Sequence, residues 1–254
     1  MKNIFSGQVA IITGAGQGIG YEIAYELAVN GCAVILNDLD AELLAKAVER
    51  IQQKQPSCIG VPGDSSDMQC IGKMIELAVE NFGSVTIAIA NAGITLFGDF
   101  LSYSPESFNR VMQVNLGGSF FLAQAAAIQM KKQGSGGSIL FMSSVTAHQA
   151  HKQLAAYGMT KAALELLAKT LVIELAPFQI TVNAIAPGAT LTERTKKEAE
   201  YENIWSGLTP IGRPATTSDI ANAALFMVSP LSKHITGQSL VIDGGWTAIS
   251  PSPF

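Results

Sequence analysis

Apolar residues fall in short blocks at nearly regular intervals along this chain. Residues 8–13, 33–38, 58–62 and 85–90 are runs of Val, Ile, Leu and Ala with few polar positions, and so are 138–142, 180–185 and 239–242. Short apolar runs without alternation read as strands covered on both faces. Between them lie longer segments whose apolar residues recur three and four apart. They run from the glycines after Thr13 to about Asn30, over 41–54, over about 67–82, onward from Pro105, over 155–176 and onward from Ser218. That spacing marks the buried face of a helix. Strand and helix alternate throughout, which predicts an α/β fold with a parallel, doubly wound sheet and helices on both faces. No repeat, low-complexity tract or linker intervenes, so 1–254 is expected to be a single domain.

One stretch breaks the rhythm. Between Thr190 and Leu208 come Glu193, Arg194, Lys196, Lys197, Glu198, Glu200 and Glu202, followed by apolar Ile204 and Trp205. This segment is expected to be a partly helical, mobile lid whose apolar residues close over a site.

The totals narrow the class. Hydrophobic residues make up 48% of the 254 and charged residues only 14%, a balance suited to a heavily buried α/β protein. The net charge is -4 and the cations are scattered, so no nucleic-acid partner is expected. Cys32, Cys58 and Cys70 lack metal-ligand spacing and fit a reducing cytoplasm. Phe5 leads almost directly into the first strand, leaving no room for a signal peptide. No apolar run of about 18 residues stands out, so no membrane span is expected.

Candidate chemistry sits at the strand ends. After the first strand come Gly14, Gln17, Gly18, Ile19 and Gly20 and a helix start. Free backbone N–H groups and the helix dipole converge there, which makes an anion site. The spacing is G-x-x-x-G-x-G; the common dinucleotide fingerprint would need glycine at Ile19. The second strand ends in Asp38, where a carboxylate can accept both ribose hydroxyls of an adenosine and repel a 2′-phosphate. No Arg or Lys stands beside it, and Asn37 or Asp40 is available to cap the next helix. Asp64, past the third strand, either bonds an adenine edge or begins a helix. The fourth strand ends in Asn91, Ala92 and Gly93, whose small residues allow close approach of a ligand to backbone. Asn115 lies in apolar surroundings mid-helix, where a buried amide needs a partner. Tyr157 and Lys161 are four apart, one turn on one helix face. A phenol titrates near 10 in water, and a neighbouring ammonium favours its ionised form. That pairing makes a general acid/base for neutral pH. Ser144, at the end of the fifth strand, could hold a substrate oxygen beside the phenol.

In this order, the markers resemble the short-chain dehydrogenase/reductase family from about Gln8 to Trp246. The resemblance is carried by Thr13-Gly14-Ala15-Gly16-Gln17-Gly18-Ile19-Gly20, Asn91-Ala92-Gly93, Asn115, Ser144, Tyr157 with Lys161, and Pro187-Gly188, with Thr192 after them. It implies a seven-stranded Rossmann fold and hydride transfer between a nicotinamide and a carbinol or carbonyl carbon. Ser144 would orient the substrate oxygen, and the family's separation of thirteen from the tyrosine favours it over Ser143. Tyr157 would exchange the proton, Lys161 would tune the phenol and hold the nicotinamide ribose, and Asn115 would anchor a relay water. The glycine loop, Asp38, Asp64, Asn91, Ala92, Gly93, Pro187, Gly188, Thr190 and Thr192 would line the cofactor, with NAD preferred because of Asp38 and Gln17. No metal is expected; His148, His151 and His234 form no ligand set.

Two further expectations concern substrate and assembly. Thr146, His148, Gln149, His151, Lys152 and Gln153 make the loop after Ser144 unusually polar. Imidazole and amide groups there can bond substrate hydroxyls, with Trp205 and Leu208 closing the other side, so a small polyol, sugar or hydroxy acid is expected. Along 155–176 polar residues surround the whole helix with apolar ones between them. Such a helix packs on the sheet and on a second subunit, and the resemblance points to a homo-tetramer. The competing readings are a 3-oxoacyl-thioester reductase and a non-catalytic NAD-binding regulator. Phe178 stands about where the reductases' carrier-binding arginine would fall, while Lys131 and Lys132 could serve an acidic carrier.

Overall fold

The computed structural model describes residues 3–249. Its elements run β1 (Val9–Thr13), α1 (Gly18–Val29), β2 (Ala33–Asp38), α2 (Ala41–Gln52), β3 (Cys58–Pro62), α3 (Met68–Phe82) and β4 (Ile87–Ala90). Then come α4 (Pro105–Val111), α5 (Ser119–Gln133), β5 (Gly137–Met142), α6 (Ala155–Leu175), β6 (Ile180–Pro187), β7 (Thr190–Leu191), α7 (Tyr201–Leu208), β8 (Ala215–Thr216), α8 (Thr217–Val228) and β9 (Ser239–Ile242). Seven strands form one sheet in the order β3-β2-β1-β4-β5-β6-β9, every pair parallel. β7 and β8 make a separate two-residue parallel pair at its rim.

Side chains alternate across the strands and fill one core on each face. Ile12, Leu36 and Ile89 pack toward α1, α2 and α8 through Leu27, Leu44 and Ile220. Ile11, Ile35 and Phe141 pack toward α3, α5 and α6 through Met74, Leu122 and Leu164. Strand order reverses between β1 and β4, so the crossovers leave to opposite faces and open a crevice at the strands' C-terminal ends.

The expected helices and strands are all present, with local differences. β4 begins at Ile87, because the Val85 N–H is taken by the Gln133 side chain at 2.8 Å. The helix opened by Pro105 is capped by Ser104 and widens to a π-helix over Met112–Gly118 before continuing as α5. This unbroken 29-residue helix corrects the expectation of no span-length apolar segment. By length and composition it is long and apolar enough to cross a bilayer, yet half of its most apolar stretch is buried in the fold. It packs on β4, β5, α3 and α6, as a core helix of an α/β sandwich does. The charged stretch after β7 folds into a 3₁₀ turn (Thr195–Lys197) and α7, partly helical as its pattern predicts.

Candidate active site

The ends of β1, β4, β5 and β6 converge on a cavity of about 580 Å³. Gln17, Gly18, Ile19 and Gly20 form one wall, with Asn91 and Gly93 beside them. Ser144, Tyr157 and Lys161 form another, and Pro187, Gly188, Thr190 and Thr192 close the third.

The glycine wall is built for close approach. Gly14 has φ +63, and a Cβ there would stand 2.9 Å from the Cα of Ala92. Gln17 at the start of α1 makes no side-chain cap, so the first-turn N–H groups stay available to an anion. Thr13 locks the neighbouring strand end: its hydroxyl accepts the N–H groups of Asn91 and Ala92, each at 3.1 Å. The Asn91 amide donates to the carbonyls of Thr13 and Gly14, both at 2.9 Å. Asn91 therefore braces the glycine turn, and the hydrogens of its amide are spent within the protein. Gly14 and Ala92 shape this wall from behind it.

Asp38 ends β2 with its Oδ2 accepting the Gly16 N–H at 2.9 Å and its Oδ1 accepting the Asp40 N–H at 3.1 Å. A Cβ on Gly16 would lie 2.8 Å from that Oδ2, so only glycine leaves the carboxylate its place against the turn. Asp40 caps α2 through the N–H groups of Glu42 and Leu43, which frees Asp38 from that duty. Asp64 does not begin α3; Asp67 is the cap. Instead Asp64 accepts from the Ser66 hydroxyl and N–H and pairs with Arg110 at 2.9 Å. Burial alone would raise its carboxyl, but Ser66 and Arg110 together hold it below the usual range.

The reacting side is assembled by α6. Lys161 is 3% exposed and donates to the Met142 carbonyl at 2.8 Å, leaving two ammonium hydrogens for other partners. Its Nζ lies 5.4 Å from the Tyr157 ring centre. The adjacent serines are separated by their partners. Ser143 Oγ faces the α6 side, 2.6 Å from Glu165 and 3.1 Å from the Lys161 carbonyl. Ser144 Oγ accepts only the Thr146 N–H, at 3.2 Å, and keeps its own proton free to donate. Asn115 is fully buried in the π-helix. Its Oδ1 accepts the Ile94 N–H at 2.8 Å, and its Nδ2 donates to the Ile94 carbonyl at 3.0 Å and Thr160 at 3.3 Å. Both amide hydrogens are used, so a relay water held by this residue has only acceptor atoms to bind. The backbone carbonyl among them already takes the Ser119 hydroxyl at 2.7 Å.

Across the cavity, Thr195 Oγ1 donates to the Thr190 carbonyl at 2.9 Å and Tyr201 accepts the Thr190 N–H at 3.2 Å. Burial pushes the Tyr201 phenol up. Tyr201 continues an aromatic ladder: its ring centre is 6.2 Å from Trp205, Trp205 is 5.4 Å from Trp246, and Trp246 is 5.1 Å from His151. Trp205 thus packs against Tyr201 and Trp246 without lining the cavity, whereas Ile204 and Leu208 are at least half exposed and close nothing. In the loop after Ser144, His148, Gln149, Lys152 and Gln153 face outward, and His151 is half-buried.

Several contributors had no strong sequence signal. Ile94 and Met142 act through backbone atoms that every residue carries. Glu165 lies one turn past Lys161 on α6, a periodicity that was readable. Trp246 follows a Gly-Gly turn far from the other site residues in sequence.

Comparisons with known proteins identify the family. A family model described as enoyl-(acyl carrier protein) reductase matches residues 14–247. The chain is 38% identical to an L-rhamnose-1-dehydrogenase of Scheffersomyces stipitis, over 96% of this chain and 98% of the relative. It is 34% identical to an L-rhamnose 1-dehydrogenase (NAD(P)(+)) of Sphingomonas sp., over 95% and 97%. A crystal structure of a short-chain type dehydrogenase/reductase from Mycobacterium marinum superposes with TM-score 0.91 at 33% identity, over 96% of this chain and 97% of that one. The fold agrees with that structure, and the matches cover nearly the whole chain: the chain belongs to the short-chain dehydrogenase/reductase family and is an NAD(P)-dependent oxidoreductase acting on CH–OH groups.

Proposed function

We propose that the protein oxidises a secondary alcohol of a small polar molecule, a sugar, polyol or hydroxy acid, with NAD as the preferred acceptor. The C1 hydroxyl of a sugar such as L-rhamnose is the most concrete candidate, because two relatives carry that name. The observation that carries the polar reading is in the loop after Ser144. Thr146 Oγ1 and His151 Nε2 are both buried there with no protein partner. A buried polar atom left unpaired costs about 1–3 kcal/mol. Neither residue lines the 580 Å³ cavity, so a substrate hydroxyl would reach these atoms through a shift of the loop, and a site that depends on them would reject analogues lacking the hydroxyl.

The residues divide the work. Ser144 donates to the substrate oxygen and fixes it beside Tyr157. Tyr157 takes the hydroxyl proton as the carbon–hydrogen bond breaks. Lys161 stabilises negative charge on the phenol oxygen and offers its two remaining hydrogens to the nicotinamide ribose. Asn115 holds Ile94 and Thr160 in place, and its carbonyl is the candidate end of a proton relay. A nicotinamide held there would supply the hydride acceptor. Gly14, Gln17, Gly18, Ile19 and Gly20 would cradle its pyrophosphate. Asn91, Ala92, Gly93, Pro187, Gly188, Thr190 and Thr192 would flank the rest, with Asp64 near the adenine.

NAD preference rests on Asp38, whose carboxylate is fixed at the turn with apolar Leu39 beside it. A 2′-phosphate there would meet negative charge, and among the described residues Asp38 has no cation paired with it. Residues 190–208 serve as the lid. A cytoplasmic setting is supported by three buried, unpaired cysteines, with burial pushing Cys58 up to about 12. A homo-tetramer is supported by exposed Phe120, Ile128, Leu166 and Ile173 on α5 and α6 and by Phe226, Leu231 and Leu240 elsewhere.

A thioester reductase is the second reading, favoured by the description of the matching family model. Lys131 lies over the Phe178 ring at 4.4 Å, so that edge presents a cation to a carrier. One screen separates the readings. NAD and NADP reduction is followed with L-rhamnose, other sugars, polyols, hydroxy acids, and steroid and aliphatic alcohols, and NADH oxidation with 3-oxoacyl thioesters. Turnover is expected with a sugar or polyol, faster with NAD. Turnover confined to apolar alcohols or thioesters overturns the polar substrate, and equal kcat/KM for the two cofactors overturns the NAD preference. NADH binding without any turnover would mark a regulator.

A further inference from the structure

Glu165 stands directly behind the reacting groups, one turn beyond Lys161 on α6, with its side chain 14% exposed. A single oxygen, Oε1, is 2.6 Å from Ser143 Oγ and 2.9 Å from His148 Nε2. Ser143 immediately precedes Ser144, and His148 closes the 3₁₀ turn Val145–Ala147 that follows it. Ser144 therefore sits on a short arc of chain whose two ends are fastened to one atom. That atom rides on the helix that carries Tyr157 and Lys161.

Proton counting strengthens the tether. Ser143 has one hydroxyl hydrogen and two acceptors in reach, Glu165 at 2.6 Å and the Lys161 carbonyl at 3.1 Å. The shorter contact, to a carboxylate, takes it. An exposed His–Glu pair alone would be worth little. Here the third member is a serine hydroxyl buried at 3% exposure, which a solvated surface pair does not recruit.

We infer that Glu165 is a positioning residue for alcohol oxidation: it sets the Ser144 hydroxyl against Tyr157 and Lys161 by tying Ser143 and His148 to α6. The inference rests on Ser144, Tyr157 and Lys161 being the reacting set. Glu165 itself reaches neither substrate nor cofactor. Its contribution is geometric, and misplacement of a reacting group by about 1 Å can cost about a hundredfold in rate.

The test compares Glu165→Ala, Glu165→Gln and His148→Ala with the unmodified protein, using the alcohol that the screen above identifies. Amide hydrogen exchange over residues 143–151 is measured in parallel on the NAD-bound enzyme. Glu165→Ala is expected to lower kcat by about tenfold to a hundredfold while NADH affinity and Tm stay unchanged, and to speed exchange in that loop. Glu165→Gln keeps an acceptor oxygen and should restore both kcat and protection. His148→Ala, at the exposed end of the tether, should produce a smaller loss of the same kind. An unchanged kcat in Glu165→Ala overturns the proposal, as does a Gln variant as slow as the Ala one with the loop still protected. If Glu165→Ala does not fold, wild-type kcat and exchange in His148→Ala overturn it. If no alcohol is turned over, the proposed substrate reading fails on its own. The exchange arm still decides the tether, and unaltered protection in Glu165→Ala refutes it.

Discussion

Tyr157 is half-buried at the cavity wall with no hydrogen-bond partner for its hydroxyl among the described residues, while Lys161 is anchored through Met142. Replacing Tyr157 by Phe deletes only that oxygen. Turnover should fall by about 10²–10⁴-fold, the usual range for a lost acid/base group. NADH affinity, read by fluorescence titration, should hold. A variant that keeps more than about a tenth of the activity contradicts the role. At this scale the meeting of Ser144, Tyr157 and Lys161 at one cavity was legible, because it follows from residue type, strand end and helical spacing. The roles of Asn91, Asn115 and Asp64 were less so. Each is spent on partners that sequence does not display: two carbonyls of the glycine turn, the backbone of Ile94, and Arg110 from another element.

Helices and strands were readable where a period or a cap declared them. Apolar blocks gave all seven strands of the main sheet, and Asp40, Asp67 and Ser104 cap helices at the positions where the patterns begin. The π-helix at Asn115 was not readable, since one extra residue per turn leaves no compositional trace. α8 shows how firmly a cap can be drawn. Thr216 and Asp219 form a reciprocal capping box, and Arg213 approaches Asp219 at 2.6 Å. The Arg213 hydrogen bond, outweighing the opposing effect of burial, holds the Asp219 carboxyl well below its usual range. A depressed folded-state value means that the stabilisation is present above the unfolded value near 3.9 and is lost as pH falls below it. The Arg213 and Asp219 side chains are 50% and 34% exposed, so screening trims the ion pair and the cap dominates. Asp219→Ala should cost about 1 kcal/mol at pH 7, with the gap to the unmodified protein closing in denaturant melts under acid conditions. A gap that widens in acid would contradict this.

The molecule as a whole presents more apolar surface than its sheet requires. Leu166 and Ile173 on α6 are 65% and 82% exposed, and Phe120 and Ile128 extend the patch onto α5. The mixed circumference of α6 in the sequence foretold this second face, though not its partner. Light scattering at micromolar concentration should give a tetrameric mass, and Ile173→Glu should lower it without unfolding the subunit, because the side chain leaves solvent only on assembly. A monomeric mass for the unmodified protein would refute the assembly. The aromatic ladder has a different consequence. The chain contains two tryptophans, and both are rungs of it, Trp205 on the proposed lid and Trp246 beyond β9. No other indole dilutes their emission, so the intrinsic fluorescence of the whole molecule is an unlabelled optical gauge of where α7 stands.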